Sequence, residues 1–172
     1  MVVLTPINEG WTDMYTVSDR GRRIDFDGKR LGDGSSYSDS KPRWFEVQIF
    51  KTTGGNYVVA GVGRSRVVHD PQCSKISNSR LKPSDSARTH DDLPLMPCDI
   101  CRPVLGSEGL VKEQDREWAQ VSTEPEAVVE RLRLRDPDGV WYIPMTSTRA
   151  LESAAALDEG ISRALYAPQH ID

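Results

Sequence analysis

The chain of 172 residues carries 22 Lys/Arg against 26 Asp/Glu, a formal net charge of -4, with 37% apolar and 28% charged residues. Such a length buries roughly two thirds of the surface its unfolded form exposes, so one globular domain can collapse without a metal or disulfide. No run nears the roughly eighteen apolar residues of a membrane span, and the opening MVVLTPINEG lacks the basic segment and the length of a secretory signal.

The expected location is therefore the cytoplasm, with no membrane partner. Three cysteines, two of them at Cys-x-x-Cys spacing, fit metal binding or free thiols better than an extracellular disulfide framework. Charge is uneven: residues 1–90 hold 14 Lys/Arg against 10 Asp/Glu, and residues 91–172 hold 8 against 16. The first part can face an anionic partner, whereas the second repels nucleic acid.

In chain order, MYTV (residues 14–17) and RRIDF (22–26) read as strands around the turn SDRG, and DGK (27–29) as a second turn. LGDGSSYSDSKP (31–42) has loop composition, either a surface excursion or a flap. RWFEVQIFKTTGGNYVVAGVG predicts strands over 44–51 and 57–62 joined by a glycine turn. Phe45, Val47 and Ile49 should face the core; Trp44, Glu46, Gln48 and Phe50 form a mixed face, as on a half-covered sheet. RSRVV leads into His69 as a third strand. Residues 70–97 show no periodicity, which is unusual inside a compact protein unless something specific holds them.

Beyond Cys101 the pattern turns helical and acidic. Leu110, Val111, Trp118 and Val121 suggest a ragged helical stripe. TEPEAVVERLRL gives a better helix, with Thr123 and Glu126 as a capping box, Pro125 in the first turn, and Val128, Val129 and Leu132 on one face. DPDG is a turn, VWYIP a short strand, and STRALESAAALDEGISRALY a last helix with a stripe at Leu151, Ala154, Leu157, Ile161 and Leu165. The fold expected is α+β: an antiparallel β region over 1–69, a loop-rich metal-tied segment over 70–104, and a mainly helical acidic region over 105–172 packed on the first as one unit.

VVHDPQC sets His69 four positions before Cys73, and PCDIC sets Cys98 three before Cys101. All three cysteines thus fall around the aperiodic stretch, with a histidine at short spacing from one of them. Zn²⁺ in structural sites takes four such ligands in a tetrahedron. The set predicts a structural zinc site of His69, Cys73, Cys98 and Cys101, with His90 of THDDLP as a rival fourth ligand. In spacing the segment resembles small zinc-stapled modules with a paired-cysteine knuckle. Plain reduced cysteines and thiol redox chemistry at Cys98 and Cys101 are the competing readings. A closed set of four leaves no open coordination position, and its net negative charge suits nearby Arg66, Lys75 and Arg102.

Other chemistry is sparse. Walker A, dinucleotide-binding and H-E-x-x-H motifs are absent, and GVGRS at residues 61–65 lacks the lysine of a phosphate loop. Asp25, Asp27, Glu46 and Gln48 alternate along strands where acids could hold Mg²⁺ beside a phosphodiester. Their arrangement resembles a metal-dependent nuclease pattern, with Gln48 standing where that pattern has lysine. Arg20, Arg22, Arg23, Arg64, Arg66 and Lys75 are candidate contacts to nucleic acid or another anion. Core packing is the expected fate of Trp44 and Trp141. Together these features favour a zinc-stabilised adaptor or regulatory protein acting on a protein partner. The alternatives are a nucleic-acid-binding module and, after it, a metal-dependent nuclease or hydrolase.

Overall fold

The computed structural model describes residues 12–77, 83–84 and 93–167. Strands β1 (Asp13–Asp19), β2 (Arg22–Ser35), β3 (Arg43–Thr52), β4 (Tyr57–Ser65) and β9 (Arg116–Ser122) form one sheet in the order β1-β2-β3-β4-β9. Helices α2 (Pro125–Leu132), α3 (Met145–Ala155) and α4 (Glu159–Tyr166) follow it, so the α+β expectation holds. A second sheet, in the order β6-β8-β5-β7, is built from β5 (Val67–His69), β6 (Pro83–Ser84), β7 (Met96–Pro97) and β8 (Val111–Glu113). Helix α1 (Ser74–Ser77) is a single turn, and β10 (Leu134–Arg135) with β11 (Trp141–Tyr142) makes a small hairpin.

Contacts divide the described residues into two compact units: those within residues 1–34, 47–60 and 119–172, and those within residues 35–46 and 61–118. In the first unit the β1–β2 turn spends positive φ on Arg20 and Gly21, which is what a tight hairpin turn demands. Val17, Phe50, Val58 and Ala60 form a core with Tyr15, Ile24 and Phe26, and the rings of Phe26 and Phe50 meet edge to face at 5.3 Å. Tyr57 and Val59 alternate with Val58 and Ala60 along β4, yet all four are buried, so this stretch is covered on both faces. Tyr57 reaches the start of α4, and both α2 and α3 pack on α4.

Several local expectations change. Along β3, Val47 and Ile49 are buried as expected but Phe45 is only half-buried; on the mixed face Trp44 is buried, as core packing predicts, and so is Phe50, while Glu46 and Gln48 are half-buried. DGK is not a turn: β2 runs through it, and Gly28 is buried against the carbonyl of Lys51, where a Cβ would come within 2.4 Å. Likewise residues 31–35 are strand, and Gly32 and Gly34 allow α3 to approach. The remaining loop is pinned in the second unit, where the buried Arg66 guanidinium donates to the carbonyls of Asp39 and Lys41.

Residues 111–113 and 116–122 are strands, not the ragged helix, because pairing with neighbouring strands outweighs the helical preference of Glu, Lys and Gln. Helix α2 buries Val128, Val129 and Leu132 as expected, but Glu124 and not Thr123 stands at its N-cap, without a capping side chain. The last helix breaks in two at Asp158, leaving Leu157 exposed. Trp141 is 61% exposed, so core packing is not its fate.

Candidate metal centre

The second sheet explains why distant ligands meet. β5 and β7 pair in parallel, Val67 with Met96 and Val68 with Pro97, so both strands end at the same edge. His69 closes β5 there and Cys98 follows β7. The chain then turns twice: Cys73 N–H bonds the carbonyl of Asp70 at 2.9 Å, and Arg102 N–H bonds that of Cys98 at 2.9 Å. Positive φ at Arg102 ends the second turn, and both turns fold their cysteines inward.

As a result, one ligand atom from each of His69, Cys73, Cys98 and Cys101 lies within 4.8 Å of the other three. A zinc tetrahedron has edges of about 3.5 Å (N to S) and about 3.8 Å (S to S). His69 Nδ1 and Cys73 Sγ are already 3.4 Å apart. His69, Cys73 and Cys98 are buried, Cys101 half-buried, and no disulfide links them. The donor set could hold a metal ion, and among the described residues no other group of three or more His, Cys, Asp or Glu side chains has that closeness. His90 lies outside the described residues.

Electrostatics favour ionised sulfur at part of the site. Burial alone would raise the Cys73 thiol, but the His69 ring, the backbone of Lys75 and the neighbouring sulfurs bring it down to about 7. Cys101 is pushed up to about 11, chiefly by burial and by sharing the site with the other two sulfurs. Cys98 Sγ accepts the Ile100 N–H at 3.4 Å.

Sequence reasoning missed the group behind the histidine. His69 Nε2 is 2.8 Å from Glu113 Oε1, on the side of the ring away from the sulfurs. Glu113 is 3% exposed; Arg43 Nε donates to Oε2 at 2.8 Å, Arg43 Nη2 to Oε1 at 2.5 Å, and the Ser65 hydroxyl to Oε2 at 2.8 Å. Burial works to raise its carboxyl, but Arg43, Ser65 and His69 hold it at about 2. The outer end of this chain opens on a hollow of about 220 Å³ lined by Arg43, Gly63, Ser65, Glu113, Gln114 and Arg116.

The remaining candidates are dispersed. Arg20, Arg22 and Arg23 are exposed at the β1–β2 hairpin of the first unit, with Arg23 paired to Asp25 at 2.7 Å. In the second unit Arg64 is committed to Glu46 and Asp115, Arg66 to loop carbonyls, and Lys75 to Asp99. Asp25 is exposed and held below its usual range by hydrogen bonds from Thr16 and Arg23; Asp27 is exposed. Glu46 takes Arg64 and the Trp44 indole N–H, and Gln48 is half-buried in the first unit. No helix among the described residues is long and apolar enough to cross a membrane. Comparison with protein-family models, curated proteins and solved structures found no match to this chain.

Proposed function

We propose that His69, Cys73, Cys98 and Cys101 bind one structural Zn²⁺, and that the chain is a small cytoplasmic adaptor or regulatory protein acting through a protein partner. The mutual closeness of the four ligand atoms carries the zinc reading. Three thiolates and an imidazole suit zinc, and four ligands leave no position for substrate, which supports a structural over a Lewis-acid role. The metal joins the two turns that bracket the aperiodic segment, and a reducing compartment keeps the thiols available.

Exposed apolar side chains support the protein-partner reading. Val140, Trp141, Tyr142 and Met145 are all exposed within one short stretch of the first unit. The nucleic-acid reading is weakened because Arg64, Arg66 and Lys75 already have partners.

Elemental analysis of untagged, reduced protein should find one zinc per chain, lost in Cys98→Ser; a metal-free wild type ends the zinc reading. Affinity capture, with and without nuclease, tests the rest. Recovery of one stoichiometric protein that survives nuclease and is lost with Trp141→Ala supports the adaptor reading. Capture abolished by nuclease transfers the proposal to nucleic acid, and Mg²⁺-dependent cleavage requiring Glu46 transfers it to a nuclease.

A further inference from the structure

An imidazole ligates a metal only through a nitrogen that has no proton, and in the neutral ring the proton must then sit on the other nitrogen. His69 faces two different environments. Nδ1 looks at the sulfurs, 3.4 Å from Cys73 Sγ, and Nε2 looks at Glu113 Oε1, 2.8 Å away. A carboxylate is an acceptor, so it favours the ring form with hydrogen on Nε2 and a lone pair on Nδ1.

Strand pairing builds this relation. β8 lies antiparallel to β5, with Val111 opposite His69, and Glu113 follows two residues later. The carboxylate is not free to turn elsewhere, because Arg43 grips both of its oxygens and Ser65 donates to Oε2. It is also excluded from the ligand set itself, since it lies on the far side of the ring.

We propose that Glu113, locked by Arg43 and Ser65, is the positioning carboxylate of the metal centre: it accepts the Nε2–H bond of His69 and thereby presents Nδ1 to the metal. The proposal rests on the zinc reading above. Outer partners of this kind orient the ring and change metal affinity about 10–100-fold when removed. A bare counter-ion role for Glu113, serving only Arg43, would leave metal affinity and the ring tautomer unchanged.

The experiment uses the reduced, full-length, ¹⁵N-labelled chain, with Zn²⁺ affinity measured against a chromophoric chelator and the ring state of His69 read from two-bond ¹H–¹⁵N spectra. The wild type should carry hydrogen on Nε2 and bind Zn²⁺ through Nδ1. Glu113→Gln should weaken Zn²⁺ binding about 10–100-fold and admit the other tautomer, because its amide can donate to Nε2. The double variant Arg43→Met/Glu113→Leu removes the ion pair as a whole, so no buried charge is orphaned, and should show the same loss of affinity. Ligation through Nε2, or wild-type affinity in both variants, overturns the proposal and leaves the zinc reading standing. Failure of the wild-type chain to take up Zn²⁺ overturns both.

Discussion

Asp158 accepts three hydrogen bonds in the first unit: from the Ile161 N–H at 3.0 Å and the Tyr57 hydroxyl at 2.9 Å on Oδ1, and from Lys51 Nζ at 2.6 Å on Oδ2. It is the N-cap of α4 and is buried. Burial pushes its carboxyl up, but Lys51, the Ile161 N–H and Tyr57 outweigh this and hold it below the ordinary carboxylate range. A lowered folded-state pKa means a stabilising contribution present above the unfolded value of about 3.9 and lost as pH falls through the folded one. Asp158→Asn should therefore cost about 1–3 kcal/mol at neutral pH, with the difference from wild type narrowing below about pH 4. Urea denaturation at both pH values checks this, and an equal penalty at pH 7 and pH 3 would show that charge is not the cause. At this same scale the close cluster of His69, Cys73, Cys98 and Cys101 is legible from spacing, since cysteine is rare and its pairs stand out. Glu113 is not: an acid in VKEQD reads as a solvated charge, and only its place beside β5 reveals it.

The β2 strand shows why glycine deceives at the level of elements. In sequence, glycine beside serine and aspartate signals a loop. In the fold, a Cβ on Gly32 would stand 2.2 Å from the carbonyl oxygen of Ala150, and one on Gly34 would stand 2.1 Å from that of Thr146. Both obstacles are backbone of α3, which cannot swing aside as a side chain can. Gly32→Ala should lower stability by about 1–3 kcal/mol or more by prising α3 from the strand. Gly54→Ala is the control: its Cβ would meet nothing nearer than Thr52 Oγ1 at 3.8 Å, so it should be nearly neutral. Thermal melts of the two variants compare them, and equal melting temperatures would contradict the close-packing account. Period-two alternation made β3 legible, the apolar run YVVA after a glycine turn made β4 legible, and the 3.6-residue stripe made α2 legible. β8 and β9 were hidden because their identity depends on pairing with strands distant in sequence.

At the scale of the whole molecule, the four residues of the candidate metal centre all belong to the second unit, whereas the aromatic core and helices α2, α3 and α4 belong to the first. The first unit therefore has apolar burial of its own. The second keeps His69, Cys73, Cys98 and Cys101 together, with the three cysteines in a small buried cluster around Val67. Metal binding on the order of 10 kcal/mol in small zinc modules appears as folding energy, and here it should appear locally. Chelation of the reduced protein should raise amide hydrogen exchange across residues 66–77 and 93–113, which flank and carry the ligands. Protection in β1, the first half of β2, α3 and α4 should persist, since none of their contacts within the first unit passes through a ligand. Hydrogen-exchange mass spectrometry before and after chelation reads both regions in one sample. Uniform loss of protection in both units would show that the metal supports the entire fold, and unchanged exchange at 66–77 would show that the two turns hold without it.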